Sequence, residues 1–135
     1  MLFVCARNSG KSQLAAALMA DLAGDAVEVA SAGTAPGDAL NEQSVRSLAE
    51  LGIDISGERP KPVSEQLVRD ADVVVTLGRE ARVEPVPGTR LLAWDVDEPS
   101  ARGVEGMDRM RLVRDDIAAR VRALADELGA GRHPA

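Results

Sequence analysis

The stretch Leu2-Phe3-Val4-Cys5-Ala6-Arg7-Asn8-Ser9-Gly10-Lys11-Ser12 constrains this chain more than any other. An apolar run ends in the chain's only cysteine, Cys5. Five residues follow, then Lys11 and Ser12, then the helix-forming Gln13-Leu14-Ala15-Ala16-Ala17-Leu18-Met19-Ala20. The pattern reads as a strand, a tight loop and a helix start. Such a loop turns backbone N–H groups inward at a helix N-terminus, where an oxyanion binds. Gly10 gives the loop permissive geometry. Asn8 tolerates positive φ and is able to brace the loop through its side chain. Ala6, Arg7, Asn8, Ser9, Gly10 and Lys11 are therefore expected to hold a phosphate-like anion. Cys5, at the base of that cradle, is expected to be the nucleophile, since a thiolate is the attacking form of a cysteine. Arg7 reads equally as a rim cation or as a solvated charge.

Asn8-Ser9-Gly10-Lys11-Ser12 also resembles the end of a nucleotide-binding Gly-x-x-x-x-Gly-Lys-Ser loop. The match fails at the first glycine, whose place is taken by Cys5. A magnesium-holding aspartate at the end of an apolar strand is missing too: Asp72 begins the strand that Leu77 ends.

With 135 residues the chain suits one domain, 1–135, with a sizeable core. The net charge of −6 argues against a phosphate-backbone partner, so no nucleic acid is expected, and any small anion must be captured by a local site. No apolar run is long enough to span a membrane, and none reads as a secretory signal ahead of a strand that starts at residue 2. A single cysteine excludes an internal disulfide framework and suits a reducing compartment, so a cytoplasmic location is expected. No Cys/His set has metal-ligand spacing, and no metal is expected. His133 stands alone in the tail and is read as incidental.

Along the chain, Leu2 to Cys5 reads as strand one and Ser12 to Ala23 as helix one, closed by Gly24. Val27-Glu28-Val29-Ala30-Ser31 alternates and reads as strand two, ending at Ala32-Gly33-Thr34. Asn41 is a plausible N-cap for a helix to Leu51, with Gly52 just beyond. Pro60-Lys61-Pro62 marks a loop and Ser64 to Arg69 a short helix. Asp72 to Leu77 is a continuous apolar run, as in a strand buried on both faces. Arg90 to Trp94 reads as strand four, Asp95 to Gly106 as an acidic loop, and Met107 to Leu128 as an amphipathic helix. Met110, Val113, Ile117, Val121, Leu124 and Leu128 form the stripe of that helix. Alternating strands and helices predict an α/β fold: a four-stranded parallel sheet covered on both faces. Cys5, Gly33, Leu77 and Trp94 all end strands, so the groups they carry should share one edge.

In this context the chain resembles the low-molecular-weight tyrosine phosphatase family, and more closely its arsenate reductase branch. The resemblance rests on Leu-Phe-Val-Cys followed by Asn8 and Ser12-Gln13, then Ser31-Ala32-Gly33-Thr34 and Leu51-Gly52-Ile53-Asp54. Ala71-Asp72-Val73-Val74-Val75-Thr76-Leu77, Trp94-Asp95-Val96-Asp97-Glu98-Pro99 and Arg114-Asp115-Asp116-Ile117 follow in the family's order. It implies a flavodoxin-like, low-molecular-weight phosphatase fold and places Ser12 to donate to the Cys5 thiolate. Lys11 takes the family's arginine position, offering a point charge where Arg grips two oxygens with a planar fork. The family's general acid is an aspartate before Pro. Here Glu98 precedes Pro99 with Asp97 adjacent, so either carboxyl is the expected proton donor. No tyrosine follows that proline.

The family's thioredoxin-linked arsenate reductases relay a disulfide through two more cysteines, which this chain lacks. The resemblance therefore implies an arsenate reductase in which an external low-molecular-weight thiol attacks arsenylated Cys5. The co-substrate expected is mycothiol or another small thiol. No bound cofactor is implied, and a glutaredoxin-like mycoredoxin would act on the released arseno-thiol adduct. A phosphatase acting on phosphoesters through a phosphocysteine is the alternative. Arg59, Lys61 and Arg79 are candidates for thiol docking if they border the loop.

Overall fold

The computed structural model describes residues 1–129. Four strands, β1 (Leu2–Cys5), β2 (Ala30–Gly33), β3 (Val73–Leu77) and β4 (Arg90–Trp94), form one parallel sheet in the order β2-β1-β3-β4. Between and after them lie α1 (Lys11–Ala23), α2 (Glu42–Ala49), α3 (Glu65–Asp70) and α4 (Gly106–Leu128). This is the expected α/β architecture. Because all strands run the same way, their carboxyl ends meet at one edge, as the sequence implies.

β1 and β3 are buried along their whole length, which explains their unbroken apolar runs. Alternate residues serve opposite faces. Phe3, Cys5, Val73, Val75 and Leu77 pack with α1, α2 and α4. Leu2, Val4 and Val74 pack with Val68 and Ala71 at the end of α3. Cys5 thus lies on the face roofed by α1 and α4. The α4 stripe Met110, Val113, Ile117, Val121 and Leu124 is buried as its spacing predicts, but Leu128 is 39% exposed. Leu128 is the last residue of the helix, whose final turn is tied to the start of β4 by the Arg90–Glu127 ion pair.

Strand two, expected to begin at Val27 and end at Ala32-Gly33-Thr34, does end at Gly33 but begins only at Ala30. A parallel strand needs a neighbour, and β1 begins only at Leu2, which stands opposite Ala30. Val27 and Val29 pack against the core without joining the ladder. Asn41 caps α2 as predicted, accepting from the Ser44 N–H at 3.0 Å, though the helix ends at Ala49. The Pro60-Lys61-Pro62 segment does more than turn: Pro62 bridges Gly33 in parallel fashion, with Gly33 N–H donating to Lys61 O at 2.7 Å. His133 lies outside the described residues. No described helix is long and apolar enough to cross a membrane.

Candidate active site

The loop between β1 and α1 is held by its carbonyls. Cys5 O accepts from Thr34 N–H at 3.1 Å, Ala6 O from Ala35 N–H at 2.7 Å, and Arg7 O from Gly37 N–H at 2.9 Å. Ser9 O accepts from Asn41 N–H at 2.8 Å, and Gly10 O takes the first helical bond, from Leu14 N–H at 2.9 Å. In a trans peptide the N–H points opposite to the C=O. With the carbonyls committed outward, the loop's N–H groups face the other side, over Cys5. Among these, the Asn8 N–H reaches the sulfur itself, 3.1 Å from Cys5 Sγ.

Asn8 is the brace of this arrangement. It is fully buried and adopts φ 53°, a left-handed conformation that Asn tolerates better than most residues. Its Oδ1 accepts from the Lys61 backbone N–H at 2.9 Å and from Gln13 Nε2 at 3.2 Å. A backbone N–H is a donor only, so that contact identifies the oxygen and leaves Nδ2 to donate to Ser12 Oγ at 2.7 Å. Ser12 Oγ in turn stands 3.0 Å from Cys5 Sγ. Having accepted from Asn8, the hydroxyl is oriented to give its own proton to the sulfur. Two donors, Asn8 N–H and Ser12 O–H, thus converge on Cys5.

Gly33 permits the loop to lie where it does. A Cβ there would stand 2.7 Å from Ala6 O and 3.0 Å from Asn8 Cβ. Since a backbone carbonyl has no rotamer to escape into, only glycine fits.

A cavity of about 280 Å³ opens over Cys5. Ala6, Arg7, Ser9, Gly10 and Lys11 from the loop line it, with Glu80 from the segment after β3 and Arg109 and Met110 from α4. Arg7 is exposed at its rim and Lys11 half-buried. The two carboxyls expected as proton donors are each paired with an arginine. Asp97 is gripped by both terminal nitrogens of Arg102, at 2.7 and 3.0 Å. Glu98 is gripped by Arg109 through Nε at 2.8 Å and Nη2 at 2.6 Å, and also accepts from Ser100 Oγ at 3.1 Å. The Arg109 guanidinium holds Glu98 down at about 2, against an opposing contribution from partial burial. Arg102 likewise lowers Asp97. Both are carboxylates at neutral pH in this arrangement and neither is among the residues lining the cavity. The acidic loop is also pinned to α4 by the Asp97 N–H donating to Asp116 Oδ2 at 2.8 Å.

Of the three cations expected as thiol-docking candidates, none lines this cavity. Arg79 pairs with Asp95 at 3.0 Å, while Lys61 reaches the Arg59 carbonyl at 3.0 Å and lines a separate groove beside β2. Sequence reasoning missed Arg109, Glu80 and the steric role of Gly33. The one signal available for Gly33 was its place at a strand end beside the first loop.

The family model described as "Low molecular weight phosphotyrosine protein phosphatase" matches residues 1–133. The chain is 34% identical over 132 residues to an arsenate reductase of Halalkalibacterium halodurans, covering 92% of this chain and 93% of that one. Among solved structures it is similar to a thioredoxin-dependent arsenate reductase of Corynebacterium glutamicum, at 34% identity and a TM-score of 0.82. That likeness covers 95% of this chain but only 60% of the larger Corynebacterium chain. It is also similar to an arsenate reductase in a phosphate-binding state, at 29% identity and a TM-score of 0.80, covering 93% and 95% of the two chains.

Proposed function

The chain belongs to the low molecular weight phosphotyrosine protein phosphatase family, and on that premise we propose that it is an arsenate reductase whose Cys5 passes arsenic to an external thiol. One observation carries this reading. The only cysteine of the chain sits beneath the oxyanion loop with two donors on its sulfur, 3.0 and 3.1 Å away, and the sequence holds no second thiol to finish the reaction. The arsenate reductases to which the chain is similar support the choice of oxyanion.

Arsenate sits in the cavity with its oxygens on the N–H groups of Ala6 to Lys11 and the Lys11 ammonium beside them. Cys5 attacks arsenic as the thiolate, and Ser12 and Asn8 hold the sulfur in line. The S–As bond forms and an As–O bond breaks. Taken together, the Cys5 thiol and a dihydrogen arsenate anion condense to a singly charged Cys5 thioarsenate and water. That water carries the thiol proton and one arsenate hydroxyl. A small thiol then attacks arsenic: its sulfur takes the bond that Cys5 gives up, and its proton returns to Cys5. Arsenic stays pentavalent through both steps. Reduction follows when a second thiol attacks the sulfur of the released adduct, forming a disulfide and leaving the electron pair of the broken S–As bond on arsenic, as arsenite. Mycothiol is the first choice for the small thiol, with a mycoredoxin-like protein supplying the second.

Asp97 or Glu98 can serve as proton donor to the departing oxygen only once its arginine lets go. In the arrangement described, their charge is already committed to Arg102 and Arg109.

Mass spectrometry of the products tests the reading. The protein is given arsenate with mycothiol, glutathione, bacillithiol or a thioredoxin system, with Cys5→Ser as control. A Cys5-dependent arseno-thiol adduct with a small thiol is expected. Turnover with thioredoxin alone would move the attack to a protein thiol. Hydrolysis of an aryl phosphate without any thiol, and no adduct, would leave the phosphatase.

A further inference from the structure

Lys11 closes the loop with a point charge, and an ammonium cannot grip two oxygens of a tetrahedral anion in one plane. Across the Cys5 cavity stands a group that can. Arg109, on the first turn of α4, lines the cavity with its side chain only 23% exposed. Building on the oxyanion chemistry proposed above, we propose that Arg109 is a second anion-holding residue of the Cys5 cavity. Glu98 is then its positioning residue, not the proton donor.

The donor count makes room for this. A guanidinium has five N–H groups in a fixed fork. Glu98 takes the Nε hydrogen at 2.8 Å and one Nη2 hydrogen at 2.6 Å, both on one edge of the group. Among the described residues no other group takes the three remaining N–H groups, on the other edges, and an anion can use them without displacing Glu98. The carboxylate is itself anchored, by Ser100 Oγ at 3.1 Å and by the buried Pro99 that follows it. Next along α4, Met110 is buried, with Ser44 Oγ 3.6 Å from its sulfur. The turn that carries Arg109 is therefore locked to α2. Paired with a carboxylate, Arg109 adds directed donors more than net charge, so the shape of the guanidinium is what matters.

The test uses two backgrounds. In the Cys5→Ser protein, which cannot turn over, arsenate and inorganic phosphate are titrated calorimetrically into the parent, Arg109→Lys and Arg109→Ala. Loss of a charge-assisted fork should weaken binding about tenfold in Arg109→Lys, and more in Arg109→Ala. In the protein with Cys5 intact, Arg109→Lys and Glu98→Gln should raise the KM for arsenate while keeping kcat within about threefold. Melting curves accompany each variant. If Arg109→Ala does not fold, the conservative Arg109→Lys decides alone.

Unchanged affinity in the folded Arg109 variants overturns the proposal. So does a Glu98→Gln protein whose kcat collapses at unchanged KM, the mark of a lost proton donor. A parent that binds neither anion fails the arsenate reading itself, before any variant is compared.

Discussion

The side-chain nitrogen of Asn8 donates to Ser12 Oγ at 2.7 Å, and that one bond sets the direction of the Ser12 hydroxyl toward Cys5. Asn8 combines three properties that few residues share: it adopts φ 53°, donates from its side chain, and accepts from Lys61 N–H and Gln13 with its side-chain oxygen. Asn8→Gly keeps the backbone conformation and loses the bonds; Asn8→Ala loses both. Arsenate turnover should fall about tenfold or more in each, and the alanine protein should melt lower, because φ > 0 costs it a further ~1 kcal/mol or more. Thermal melts beside kcat/KM separate the two effects. Equal melting of the two variants would show that strain plays no part.

Ser12→Ala removes a donor from the sulfur in a fully buried position. A hydrogen bond to a charged partner contributes about 1.5–3 kcal/mol. Alkylation of Cys5 by iodoacetamide at pH 7 is therefore expected to slow by about tenfold or more. Ser12→Thr, which keeps the hydroxyl, should retain a faster rate than the alanine variant. Rates equal to the parent in Ser12→Ala would mean that Asn8 N–H suffices.

Gly33→Ala tests the loop from outside. Its φ is not in the left-handed region, so the cost is steric alone: the added methyl meets Ala6 O at 2.7 Å. Overpacking of this kind costs about 1–3 kcal/mol. Since the loop, not the sheet, is the part able to shift, phosphate binding should suffer more than the melting temperature. Calorimetric titration with phosphate beside a thermal melt reads both. A variant that binds phosphate normally would show that the loop gives way freely.

Acid stability follows from two carboxylates. Arg109 holds Glu98, and Arg111 with Arg114 holds Glu50, each lowered from 4.5 to about 2. A carboxyl depressed in the folded state stabilises it above its unfolded value, and that contribution fades as pH falls through the folded value. The contributions of Glu98 and Glu50 are thus complete above about pH 4.5 and lost toward pH 2. Glu98→Gln and Glu50→Gln should melt below the parent at pH 7, with the gap closing between pH 4.5 and 2. A gap that persists at pH 2 would point to packing, not charge.

Much of the fold was readable because it is local. The apolar run of β3, the cap at Asn41 and the α4 stripe each depend on neighbours within a few residues. β2 begins three residues later than its alternating pattern because a strand is defined by its partner, and nothing in Val27-Glu28-Val29 says that β1 starts too late to pair with it. The loop was legible for the same local reason: Cys5, Asn8, Gly10 and Ser12 lie within eight residues.

The sequence by itself determined a strand, an anion-cradling loop and a helix with a single thiol at the junction, because dihedral preferences and short-range hydrogen bonds act between adjacent residues. Only the tertiary structure decided what surrounds that thiol. Segment 34–41 turns the loop carbonyls outward, Gly33 clears their path, and Arg109, bound to Glu98, lines the cavity. Those contacts join residues far apart in the chain. No local pattern encodes them; the closure of the sheet and the packing of α4 bring them together.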